Sequence, residues 1–148
     1  MNSYFDTAII LKLYAQEATS PDAVRLVNEC VTPYLLTPWQ EIEVRTALRL
    51  KAFRKEITTA EMDASLKAFD EDILSGRWRT PEYKEATVWR FARDLSDRHA
   101  AKIGCRTLDL LHVAVALSLG VETFVTFDER QRAVAKLEGL TVKPEIRG

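Results

Sequence analysis

Apolar positions follow two rhythms along the chain, short unbroken runs and longer stretches in which they recur three or four residues apart. Tyr4 and Phe5 lead into Asp6, and Ile9, Ile10, Leu13 and Tyr14 then keep helical spacing, which predicts strand, turn and helix. Ser20 followed by Pro21 and Asp22 marks a second helix start, with Ala23, Val27, Cys30 and Val31 on one face and an end before Pro33. Tyr34-Leu35-Leu36 reads as a buried strand. Thr37, Pro38 and Gln40 form a capping box with proline at the first helical position, so a helix runs from Trp39 to about Phe53. Thr58 and Glu61 repeat the device, and Met62, Leu66, Phe69 and Ile73 line one face until Gly76. Trp78 to Tyr83 contains Pro81 and suits a short edge strand before a helix from about Lys84 to Lys102, with Val88, Phe91, Ala92, Leu95 and His99 inward.

The last third is the most regular. Thr107 is placed to cap an apolar helix through Leu119, which Gly120 closes, and the run of β-formers Val121 to Phe127 ends at Asp128. Asp128 caps a further helix through Leu137, Gly139 ends it, and Leu140-Thr141-Val142 is a final strand. Short apolar strands alternating with helices predict an α/β fold whose parallel sheet is covered on both faces. No internal repeat, linker or second domain is visible, so residues 1–148 are read as one domain.

Composition narrows the classes. At 148 residues and 47% hydrophobic, the chain can bury one core, and 21 basic against 22 acidic residues argue against an indiscriminate nucleic-acid or membrane binder. The charges are unevenly spread: Arg45, Arg49, Lys51, Arg54 and Lys55 follow one another without an acid, whereas Glu61, Asp63, Asp70, Glu71 and Asp72 stand against Lys67 alone. The simplest reading is two solvated helix faces. The run Leu110 to Leu119 is far shorter than the ~20 residues of a membrane span, and Asn2, Ser3 and Asp6 stand where a signal sequence would be basic, so a cytoplasmic protein without membrane contact is expected. Cys30 and Cys105 lack partners at metal-ligand spacing and are read as core thiols.

Candidate chemistry lies at the strand ends. Ligands of open parallel sheets bind at the carboxyl ends of the strands, and Asp6 and Asp128 each end one. Asp109 falls in the first turn of the apolar helix, and Glu43 lies one to two turns into the helix after Tyr34-Leu35-Leu36, on a face with Ala47 and Leu50. Each acid alone also suits a cap, a first turn or a helix surface. Taken together, four converging carboxylates would repel one another unless a cation held them, and all-oxygen ligands select Mg²⁺ or Mn²⁺. Glu41 competes with Glu43, but the two differ by about 200° around the helix, and Glu43 is chosen.

In these residues the chain resembles the PIN-domain ribonucleases, in particular the VapC-type toxins of bacterial toxin-antitoxin pairs. Tyr4 to Tyr14, which includes Asp6-Thr7-Ala8, is similar to the family's first acidic motif, with Thr7 where many relatives carry serine. Glu43-Val44-Arg45-Thr46-Ala47-Leu48 is similar to the second, Arg106 to Ala114 to the third, and Phe124-Val125-Thr126-Phe127-Asp128 to the fourth. The resemblance implies a three-layer α/β/α PIN-like domain with a central parallel sheet. It implies a metal-dependent endoribonuclease with Asp6, Glu43, Asp109 and Asp128 as catalytic, metal-binding acids and Thr126 in support. It further implies an RNA substrate, a cognate antitoxin and a homodimer. Lys12 and Arg106 occupy family positions that suit a phosphate or carboxylate contact, although a solvated lysine and a helix-end arginine fit them equally. His112 is read as a hydrogen-bonded core histidine. A haloacid-dehalogenase-type phosphatase would need an acid where Ala8 stands, and a non-catalytic PIN-like binding domain is the remaining alternative.

Overall fold

The computed structural model describes residues 2–145. In chain order the elements are β1 (Ser3–Phe5), α1 (Thr7–Tyr14), α2 (Ser20–Asn28), β2 (Tyr34–Leu35), α3 (Pro38–Phe53), α4 (Thr59–Leu74), β3 (Trp78–Arg79), α5 (Glu85–Leu95), α6 (Ala101–Ile103), α7 (Thr107–Leu119), β4 (Thr123–Val125), α8 (Glu129–Leu137) and β5 (Thr141–Lys143). The chain divides into two compact units, one made of Met1–Asp6 with Pro81–Gly148, the other of Thr7–Thr80.

The first unit is built on a parallel sheet in the order β1-β4-β5. Tyr4 pairs with Phe124 and Phe124 with Val142, so β4 is central. All three β4 residues are buried, as in a strand covered on both faces, and Tyr4 stacks on Phe124 with ring centroids 5.4 Å apart. Helix α7 contributes Leu110, Val113, Ala114, Val115 and Ala116 to the core and packs against both α5 and α8. Ala114 and Ala116 keep part of its inward face small.

Several boundaries differ from the pattern in the sequence. The run Val121–Phe127 yields only three strand residues, because its ends are used locally. The Val121 N–H closes the end of α7 on the Ala116 carbonyl, and beyond β4 the Asp128 N–H bonds the Thr126 hydroxyl. Thr107 is the first helical residue of α7 and Arg106 the cap, one position earlier than expected. Gly120 adopts φ 68°, the left-handed conformation that ends such a helix most cheaply. The helix expected over Lys84–Lys102 is interrupted by a π-helical turn at Ser96–Ala100. There His99 is buried and meets Glu138 at 3.2 Å, and Arg98 also bonds Glu138.

The second unit packs α1 against α2, α3 and α4. Its core holds Ile9, Ile10, Val27, Val44, Leu48 and Phe69, and the short parallel pair β2-β3 brings Tyr34 beside Trp78. Both capping boxes form. The Gln40 and Glu61 N–H groups bond the Thr37 and Thr58 hydroxyls, and the Gln40 and Glu61 side chains accept from the cap N–H groups. Helix α2 stops at Asn28, before Cys30, and Val31 is exposed rather than part of its apolar face. Both cysteines are half-buried, so neither is the core thiol expected. On α3 the buried stripe is Gln40, Val44 and Leu48. Glu43 borders it, and Leu50, expected inward beside Glu43, is exposed.

Candidate functional site

Strand pairing places the first unit's acids. The Asp6 N–H continues the ladder past Phe5 by donating to the Val125 carbonyl at 2.9 Å, so Asp6 leaves the sheet beside the end of β4. One residue beyond β4 is Thr126, fully buried, whose N–H donates to the Lys143 carbonyl at 3.0 Å. Its hydroxyl donates toward Asp6 Oδ2 at 3.4 Å and accepts the Asp128 N–H at 3.1 Å. A single hydroxyl therefore connects the acid after β1 with the acid after β4. Arg132 braces the same turn by donating to the Thr126 carbonyl at 2.9 Å and to the Pro144 carbonyl.

Asp128 is the N-cap of α8, with Oδ1 accepting the Gln131 N–H at 2.8 Å. Asp109 is the third residue of α7 and accepts the Arg106 N–H through Oδ2 at 3.4 Å. Each places negative charge at a helix N-terminus, where the peptide dipoles favour it. The Cys105 thiol reports the field they share: burial pushes its pKa up first, and the negative charges of Asp109 and Asp128 push it further.

Behind Asp6 lies a buried polar pair. Tyr4 Oη and His112 Nδ1 are 2.7 Å apart, and His112 Nε2 lies 3.9 Å from Asp6 Oδ1. The arrangement is satisfied if the tyrosine donates to Nδ1 and the imidazole carries its proton on Nε2, toward the carboxylate. His112 is thus the hydrogen-bonded core histidine that its spacing on an apolar helix suggested. The role of Tyr4 was not legible in the sequence, where it reads only as a β-forming aromatic.

In the second unit, Glu43 accepts a 3.1 Å hydrogen bond from the hydroxyl of Thr7, the residue that follows Asp6 in the chain. Glu41 points to a different partner, Arg45, at 2.9 Å. Lys12 pairs with Glu17 at 2.9 Å, and Lys51 meets Glu17 at 2.8 Å. Burial pushes the Glu17 carboxyl upward, but hydrogen bonds from Lys51 and Lys12 outweigh it and leave the group below the usual carboxylate range.

Among the described residues, no group of three or more His, Cys, Asp or Glu side chains is already arranged to hold a metal ion. The donors present nevertheless fit a hard divalent cation in kind, since Asp6, Asp109 and Asp128 offer carboxylate oxygen only. Asp109 and Asp128 each commit one oxygen to a helix N-terminus and leave the second for another ligand. No described helix is long and apolar enough to cross a membrane.

The parallel sheet thus carries acids just beyond β1 and β4, with a further acid in the first turn of α7. Residues 3–137 match the PIN domain model, and the chain belongs to the PIN domain family. Its fold is accordingly the three-layer α/β/α class with a central parallel sheet. PIN domains are generally metal-dependent nucleases, and the family typically uses a divalent metal. No curated protein matches the chain.

Proposed function

We propose that this PIN domain is an endoribonuclease that hydrolyses RNA phosphodiester bonds with Mg²⁺ or Mn²⁺, and that it is the toxin of a type II toxin-antitoxin pair. The observation that carries the reading is the Thr126 hydroxyl between Asp6 and Asp128, which gives two strand-end acids a common support. Asp6, Asp109 and Asp128 would hold the cation, and Glu43 is assigned to the same set from its family motif. A bound divalent cation would lower the pKa of a water and offset charge on the leaving oxygen. The chain's own contribution is positional. Thr126 orients Asp6 and fixes the turn that presents Asp128, the Gln131 N–H at the N-terminus of α8 holds one oxygen of Asp128, and His112 Nε2 faces Asp6 from the core. The toxin assignment, the antitoxin partner and a homodimer rest on the resemblance to the VapC-type toxins.

The test is purified protein incubated with total cellular RNA and Mn²⁺, then with chelator added, beside Asp6→Asn. Discrete fragments that require the metal and are absent with the variant are expected. Fragments that persist in chelator or with the variant would refute the metal mechanism. A second reading is a non-catalytic PIN-like domain that binds RNA or protein. RNA retained but uncut under every metal condition would support it.

A further inference from the structure

The third residue of a capped helix has a customary task. In α3 and α4 that residue, Gln40 or Glu61, turns its side chain back to accept the N–H of the cap residue. Helix α8 has the same layout, with Asp128 as cap and Gln131 in third position, yet the exchange is incomplete. The Gln131 N–H does bond Asp128 Oδ1 at 2.8 Å, but the Asp128 N–H is already taken by the Thr126 hydroxyl at 3.1 Å. The Gln131 side chain is thereby released from capping, and its Nε2 reaches across to the backbone carbonyl of Asp109 on α7, at 3.4 Å.

Gln131 is fully buried, and its Oε1 is without a hydrogen-bond partner among the described residues. Reversing the amide does not cure this, because it would set Oε1 against the Asp109 carbonyl, acceptor facing acceptor. A buried unpaired acceptor costs stability, and an apolar side chain of the same length would avoid the cost. Stability alone therefore does not account for an amide here. The main-chain N–H of residue 131 holds the Asp128 carboxylate whatever the side chain, and what the amide adds is the bond to the backbone of Asp109, which ties one residue to both acids.

We propose that Gln131 is a positioning residue that sets the separation of Asp109 and Asp128 for the cation they share. The inference rests on the nuclease reading above, and it concerns a side chain that would itself touch neither metal nor RNA. A cation fixes its ligands within tenths of an ångström, so loosening α7 against α8 weakens metal binding even when both carboxylates remain.

The test uses the full chain, Gln131→Met and Gln131→Leu, with thermal melts in chelator and in graded Mn²⁺, the metal alone serving as probe. In chelator both variants are expected to melt at or above the wild-type temperature, by up to about 2–4 °C, since the unpaired acceptor is gone. Their apparent Mn²⁺ affinity is expected to fall about tenfold, seen as a smaller metal-induced rise at the same concentration. Variants that keep the full wild-type Mn²⁺ response overturn the positioning role and leave the nuclease reading intact. Variants that both melt below wild type in chelator overturn it in favour of an ordinary packing role. A wild type whose melting ignores Mn²⁺ overturns the metal reading and this proposal with it.

Discussion

Arg45 and Asp70 form an ion pair with nitrogen and oxygen 2.5 Å apart, joining the basic run on α3 to the acidic run on α4. The same guanidinium also pairs with Glu41 at 2.9 Å and lies over the Phe69 ring, 5.4 Å from its centroid. The segments that look like separate solvated faces in the sequence thus meet, and part of the positive charge is used inside the unit. The Arg45 guanidinium is held protonated still more firmly than usual, chiefly by its hydrogen bond to Asp70.

This pairing divides the basic run into structural and available charges. Arg49, Arg54 and Lys55 are exposed, whereas Arg45 and Lys51 are pinned by acids. Arg49→Ala and Arg54→Ala are each expected to weaken RNA binding and to reduce the slope of log affinity against log salt, by about 0.7 for every phosphate of a single strand that the arginine had neutralised. Arg45→Ala is expected to leave that slope unchanged and to cost about 1 kcal/mol of stability. Filter binding over a salt series, with denaturant melts of each variant, measures both.

Glu43 and Glu41 should separate cleanly in activity. Glu43→Gln is expected to abolish RNA cleavage, and Glu41→Gln to leave it within a few fold while slightly destabilising α3 by breaking the Arg45 pair. Thr7→Ala, which removes the hydroxyl held by Glu43, should fall between them. Initial rates on one cleaved RNA decide the order, and the reverse ranking of the two glutamates would exchange their roles.

Asp128 carries a helix cap and a proposed metal contact on one carboxylate, and two substitutions pull these apart. Asp128→Asn keeps an oxygen for the Gln131 N–H and should hold stability nearly constant while abolishing cleavage. Asp128→Ala should abolish cleavage and also cost about 1 kcal/mol. Urea unfolding in chelator, set beside cleavage assays, reads the two effects separately.

Glu17 supplies a pH-dependent part of the second unit's stability. Its carboxyl ionises below the usual 4.5, so the unfolded chain binds that proton more readily than the folded one. The contribution is therefore complete above pH 4.5 and is lost as the pH falls below it. Screening by solvent limits it to about 0.5 kcal/mol. Glu17→Gln should accordingly melt lower than wild type at pH 7, with the difference shrinking as acid is added below pH 4.5.

Much of the fold was legible because the sequence is locally consistent. Thr37-Pro38 with Gln40, and Thr58 with Glu61, mark helix starts through chemistry confined to four residues, and both boxes form. The strands were harder to bound, since Val121 and Thr126 look like β-formers but are drawn into a helix end and a turn by bonds to Ala116 and Asp128. The site was legible as residue types and not as connections. Asp6 and Asp128 stand out at strand ends, whereas the Thr126 bridge, the Tyr4–His112 pair and the link from Gln131 to Asp109 join residues far apart in the chain. No local pattern encodes such distances. The Arg45–Asp70 pair was missed for the same reason, as helical spacing reveals partners three or four residues away and not twenty-five.

The order of strands in the sheet also has a consequence for the timing of synthesis. Strand β1 is made before every other described element, yet its neighbour in the sheet, β4, begins at Thr123. A growing chain must carry Tyr4 and Phe5 unpaired until β4 has left the ribosome, and closing so long a loop is slow. Thr126 and Asp128 emerge at the same late moment. Incomplete chains released before that point therefore lack both the strand that orders Asp6 and the residues that complete its surroundings, so abortive translation products should be catalytically silent.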